Sequence, residues 1–170
     1  MSSDKNNQSE LRNVFGRFPT GVTVITTLDA GENPIGLTVS SFASVSLDPP
    51  LILWCLDRDS SMLAEFEACT HFAVNILATD QTDVALRFAM FSDNRFEGIT
   101  FEQGRGGAPL LRDCAARLQC RNTAQHDGGD HVIFVGEVTD FDQSDKPSLA
   151  HSRGEYAVIS ELRTRGGSDT

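Results

Sequence analysis

The residues of this sequence best suited to chemistry are paired hydroxyls and a histidine. In GLTVSSFASVSLDPP (36–50), Leu37, Val39, Ala43, Val45 and Leu47 share one side of an extended chain, and Thr38, Ser40, Ser44 and Ser46 share the other. Ser41 and Phe42 break that alternation. Adjacent hydroxyls can bind an anion without a lysine; they can equally form a solvated face with one buried serine bonded to backbone. Ser60 and Ser61 form a second pair ahead of a helical stretch, where a cap and an anion contact are compatible uses. His126, Asp127, Asp130 and His131 crowd HDGGDH (126–131), but two histidines five apart across two glycines lack one-face geometry, so no metal is expected. No GxGxxG follows a strand, GRGG (104–107) lacks a P-loop lysine, and no GxSxG is present. A nicotinamide or flavin site, if present, must be built another way.

The elements that position these residues read as mostly strands. VTVITTL (22–28), the stretch 36–47, LILWCL (51–56), FAVNIL (72–77), HVIFVGEVTDF (131–141) and EYAVI (155–159) have strand composition or length. DAGENP is a turn, and DPP must leave the sheet because proline cannot donate to a ladder. Short helices are expected from Ser9 or Glu10, with Leu11, Val14, Phe15 and Phe18 on one face, after Ser60 or Ser61, and over QTDVALRFAMF capped by Asp80. Residues 92–109 look loop-like, and LRDCAARLQCRNTAQ fits helix or strand. Six or seven strands with few helices predict an antiparallel barrel rather than a doubly wound sheet. Trp54, inside an apolar run, is expected in the core.

The chain has 170 residues and a formal net charge of -10. One domain over 10–162 is expected, between a disordered start (1–9) and a flexible tail (163–170). The acidity disfavours nucleic acid and anionic lipid, and no run is long and apolar enough to span a membrane. The polar start carries no signal-peptide pattern, and Cys55, Cys69, Cys114 and Cys120 show no CxxC spacing. A cytoplasmic protein with reduced cysteines follows.

FPTGVTVITT (18–27), PIGLTVSSFASVSLDPPLIL (34–53), FAVNIL (72–77), RFA (87–89) and GDHVIFVGEV (129–138) stand here in one order. Together they resemble the short-chain flavin reductase family, the reductase partners of two-component flavin monooxygenases, from about Leu11 to Ile159. The resemblance implies a Greek-key split β-barrel, homodimeric, with flavin in a groove near the dimer interface. It places Pro34, Ile35, Gly36, Leu37 and Thr38 along the isoalloxazine and Ser40 and Ser41 at the ribityl phosphate. Cys55, Leu56, Asp57, Arg58, Asp59, Ser60, Ser61 and Met62 would meet the ribityl chain and phosphate from the other side. Ala89 would close the site with Arg95 and Phe96. His131 would lie beside the nicotinamide as the catalytic residue, and Arg153 and Tyr156 would contact NADH.

The implied activity is hydride transfer from NADH to FMN or FAD, with reduced flavin passing to a separate monooxygenase. NADPH stays possible; NADH is preferred because the sequence shows no arginine cluster. A non-catalytic flavin-binding protein of the same barrel is the alternative, disfavoured by GDH and RGEY. A relative of pyridoxal-phosphate oxidase is disfavoured by the lack of a basic cluster.

Overall fold

A computed structural model describes residues 2–92 and 94–160. The expected tail at 163–170 lies outside the described residues. In chain order the elements are α1 (Ser2–Phe15), β1 (Thr20–Gly21), β2 (Thr23–Leu28), β3 (Pro34–Val39), β4 (Ala43–Leu47), β5 (Pro50–Asp57), α2 (Leu63–Ala68), β6 (His71–Ile76), α3 (Thr82–Ala89), β7 (Phe101–Gln103), β8 (Pro109–Leu111), β9 (Ala116–Gly128), β10 (His131–Gln143), β11 (Leu149–Ser152) and β12 (Glu155–Val158). The chain is mainly β with few short helices. Among the described residues no helix is long and apolar enough to cross a membrane.

Seven strands form one antiparallel sheet in the order β3-β2-β6-β9-β10-β5-β4. Its edge strands β3 and β4 are consecutive in sequence, joined only by Ser40, Ser41 and Phe42. So short a link between opposite edges requires the sheet to curl until the edges meet. The β-branched residues of β2 suit its fully flanked position, and the turn into β3 is fixed by Asp29. Its Oδ1 accepts from the N–H groups of Gly31 and Asn33, each at 2.8 Å.

Inside the curl, Ile52, Trp54 and Leu56 of β5 alternate into the core. Trp54 is fully buried as expected, stacked on Phe134 at 4.6 Å and edge-on to Phe66 and Phe72. A second cluster, including Val24, Leu77, Ala85 and Phe88, packs α3 against the outside of β2 and β3. Gly36 makes that approach possible. A Cβ there would lie 2.9 Å from Ile25 O and Thr26 Cγ2 and 3.3 Å from the Phe88 ring.

Several local expectations change. Helix α1 begins at Ser2, where the sequence predicted disorder through residue 9; the polar residues ahead of Leu11 give no apolar stripe to mark it. Its apolar face is exposed, with Val14 at 64%, Phe15 at 65% and Phe18, just beyond the helix, at 76%. The single strand read over 36–47 is two, β3 and β4. The ambiguous stretch after Leu111 becomes the long strand β9, decided by pairing with β6 and β10. The loop-like run 92–109 contains β7. Asp80 does not cap α3; it pairs with Lys146 at 2.9 Å, and Gln81 stands at the N-cap with its side chain bonded to Ala78 and Arg112 and none of it capping the helix. Met62, not Ser60 or Ser61, is the N-cap of α2.

Candidate functional site

Where the two sheet edges meet, the backbone ladder fails and a hydroxyl replaces it. Pairing of β4 with β5 starts at Ala43–Leu53, so Cys55 has no strand partner on that side. Ser41 Oγ donates to the Cys55 carbonyl at 3.2 Å and accepts from the Cys55 N–H at 2.9 Å. One serine therefore satisfies both backbone groups of an otherwise orphaned position. Its hydroxyl hydrogen is used there, as in the alternative of a buried serine bonded to backbone. Ser40, next to it, is exposed.

Beside this stitch opens a cleft of about 530 Å³. Leu37, Thr38, Ser40 and Ser41 line one side; Cys55, Leu56, Asp57, Asp59, Ser60, Ser61 and Met62 line the other; Ala89, Arg95 and His131 complete it. A neighbouring cleft of about 840 Å³ shares Ser61, Met62 and Arg95 and adds Pro34, Ile35, Gly36 and Phe96. The groove thus runs along the edge strand β3, half of whose backbone groups point away from β2.

Individual roles follow from hydrogen bonds. Thr38 Oγ1 donates to the Ala85 carbonyl at 2.7 Å, so it holds α3 to β3 instead of presenting a free donor hydrogen. The turn 57–62 is self-bonded. Asp57 Oδ1 accepts from Asp59 N–H at 2.8 Å, and Ser60 Oγ from Met62 N–H at 3.3 Å. Ser60 therefore caps a turn just ahead of the helix. Arg95 Nε donates to the Met90 carbonyl at 2.8 Å, and its Nη1 reaches Met62 Sδ at 3.5 Å, fixing a cation over the join between the two clefts.

His131 opens β10 opposite Asp57, with its Nδ1 at 2.8 Å from Asp130 Oδ1. That bond first, then the charge interaction with His131, holds the Asp130 carboxyl below the usual carboxylate range. Arg58 departs from expectation. Its Nε donates to the Gly129 carbonyl at 3.1 Å and its guanidinium pairs with Asp127, so it clasps the β9–β10 turn and lies outside the lining of the cleft. Asp127 and Asp130 of the HDGGDH run are thereby engaged with Arg58 and His131.

Arg153 and Tyr156 also fall elsewhere. Tyr156 packs at the second core cluster and edge-on to His151 at 5.9 Å. Arg153, at the β11–β12 turn, lines a separate cleft that meets the first at Ser40 and Ser41. The sequence reading missed Val39, Phe88 and Phe91, which also line the first cleft. Phe91 is 82% exposed just past α3, and an aromatic beyond a helix end was the available signal. Burial raises the Cys55 thiol pKa, with the Ser41 bond opposing, so it is a neutral wall and no thiolate nucleophile.

Comparison with known proteins gives consistent matches. Residues 15–160 match the family model described as "Flavin reductase like domain". The chain is 43% identical over 154 residues, 91% of its length and 87% of the relative's, to "FMN reductase (NADH) SmoA" of Agrobacterium fabrum. It is 42% identical over 155 residues, 91% of its length, to the "Flavin-dependent trigonelline monooxygenase, reductase component" of Acinetobacter baylyi. The chain spans 50% of that protein, and likewise 50% of a curated relative from Rhizobium meliloti. Among solved structures, the Streptomyces globisporus NADH:FAD oxidoreductase SgcE6 in complex with NAD and FAD fragments superposes with a TM-score of 0.88 at 37% identity, covering 94% of this chain and 96% of that one.

Proposed function

The chain belongs to the flavin reductase like domain family, and on that premise we propose that it transfers a hydride from NADH to FMN or FAD and releases reduced flavin to a separate monooxygenase. What supports this reading is the convergence of five chain segments, around Ser40, the turn Asp57 to Met62, Ala89, Arg95 and His131, on one cleft beside an edge strand. The residues present fit a flavin. Met62 and Ala89 offer an apolar wall, β3 offers outward backbone donors and acceptors for a planar heterocycle, and Ser40 with Arg95 offers donors to a phosphate.

When bound, flavin supplies the two-electron acceptor for the nicotinamide hydride. The protein's part is to bind and orient. The Ser41–Cys55 stitch keeps the cleft walls at fixed separation, Arg95 is braced by Met90, and His131 is held by Asp130 where it can orient a nicotinamide carboxamide. No protein group need take a proton for hydride transfer; near-attack positioning is the requirement.

The curled sheet is assigned to the Greek-key split barrel and the molecule to a homodimer. The exposed Leu11 and Val14 of α1, with Leu47 at 95% exposure on β4, are the apolar surface such pairing would cover. The four free cysteines suit a reducing cytoplasm. The test is NADH oxidation followed with FMN, FAD and no flavin. The reading expects oxidation only with flavin present, and flavin binding without NADH oxidation would favour the non-catalytic alternative.

A further inference from the structure

Arg12 and Arg17, at the end of α1, and Arg153, far along the chain, meet around the separate cleft of about 1020 Å³, with His151 beside them. The sequence shows no basic cluster; the fold assembles one. Among the described residues no aspartate or glutamate lines this cleft, in a chain of net charge -10. The ion pairs of the described residues use other cations. Arg12 feels Asp130, whose carboxyl is held low first by His131 and only last by Arg12. Both walls are braced, since Arg153 N–H donates to the Gly16 carbonyl at 2.9 Å and ties the β11–β12 turn to the end of α1.

This cleft meets the first at Ser40 and Ser41. The far wall of the first cleft carries Asp57 and Asp59, which repel a phosphate toward the Ser40 end. Resting on the reading of the first cleft as the flavin site, we propose that the arginine cleft holds the adenosine-monophosphate end of FAD, the part that FMN lacks, and makes the protein favour FAD over FMN. Phe15 and Phe18, also in its lining, give the adenine an aromatic wall. Arg153 is thereby reassigned from NADH to flavin.

The experiment is fluorescence titration of FAD, FMN and riboflavin onto the wild type, an Arg12→Ala/Arg17→Ala double variant, and Arg17→Lys. Loss of charge-assisted bonds should weaken FAD binding by roughly 10- to 100-fold in the double variant and FMN by less than about 3-fold, with Arg17→Lys near wild type. On the wild type, AMP should compete with FAD and leave FMN binding unchanged, which asks the same question without a mutation. Equal losses for FAD and FMN, or unchanged FAD binding, would overturn the proposal. So would a raised KM for NADH or NADPH at unchanged FAD affinity, which assigns the arginines to the pyridine nucleotide. A wild type that binds no flavin rejects the reductase reading as well; intact FMN binding and reduction with indifferent FAD rejects this inference alone.

Discussion

The two edges of β5 have opposite fates. Toward β10 its ladder is unbroken from Leu51–Glu137 to Asp57–His131. Toward β4 the ladder bulges between Ser44 and Ser46, starts only at Ala43–Leu53, and is succeeded by one hydroxyl. The paired edge makes a wall and the unpaired edge makes a cleft. A strand end exposed on one side only is rigid enough to present side chains and open enough to admit a ligand, which is why His131, carried by the paired edge, faces a space created by the unpaired one.

The largest effect should come from the side of β5 that faces neither edge. Trp54→Ala removes a fully buried ring with three aromatic neighbours. It should cost about 3–5 kcal/mol in denaturant unfolding. A loss below about 1 kcal/mol would mean that the core does not depend on β5 as described.

Next is the paired edge. His131→Ala should leave flavin affinity nearly unchanged while slowing flavin reduction by NADH roughly 10- to 100-fold, about 1.4–2.7 kcal/mol of barrier. Anaerobic stopped-flow bleaching measures it, and wild-type rates in a folded variant would remove His131 from the nicotinamide site.

The unpaired edge separates its two serines. Ser41→Ala strands the part-buried Cys55 backbone and should destabilise by about 1–2 kcal/mol, whereas Ser40→Ala, at an exposed position, should leave stability within about 0.5 kcal/mol. Equal unfolding midpoints for the two variants would contradict the stitch.

The smallest effect lies at the outer end of the paired edge. The lowered Asp130 pKa means that its bond to His131 is present above the ordinary carboxylate pKa and lost as pH falls through the depressed one. Asp130 is fully exposed, so the readout is its carboxyl NMR shift; His131→Ala should move that midpoint back up.

These contrasts also mark how far the sequence could be read. The break at Ser40–Phe42 was legible because alternation fails there, and the family resemblance located nearly all of the lining of the first cleft. The use of Ser41 was not legible, because its partner Cys55 becomes a neighbour only when the sheet curls. Arg58 reads like a cleft residue in CLDRDSSM, yet the β9–β10 turn, far along the chain, captures it. Arg12, Arg17 and Arg153 carry no local pattern at all. Alternation and composition report on faces and ladders; they are blind to groups that meet only through long-range closure.

The central claim is that flavin lies in the cleft left by the unpaired edge of β5. Ala89, exposed at the end of α3, lines that cleft without entering the core. Flavin titration of Ala89→Trp tests the claim most directly, with a thermal melt of the same sample. The account predicts lost FMN and FAD binding at an unchanged unfolding midpoint, and wild-type affinity for both flavins in the folded variant would contradict it.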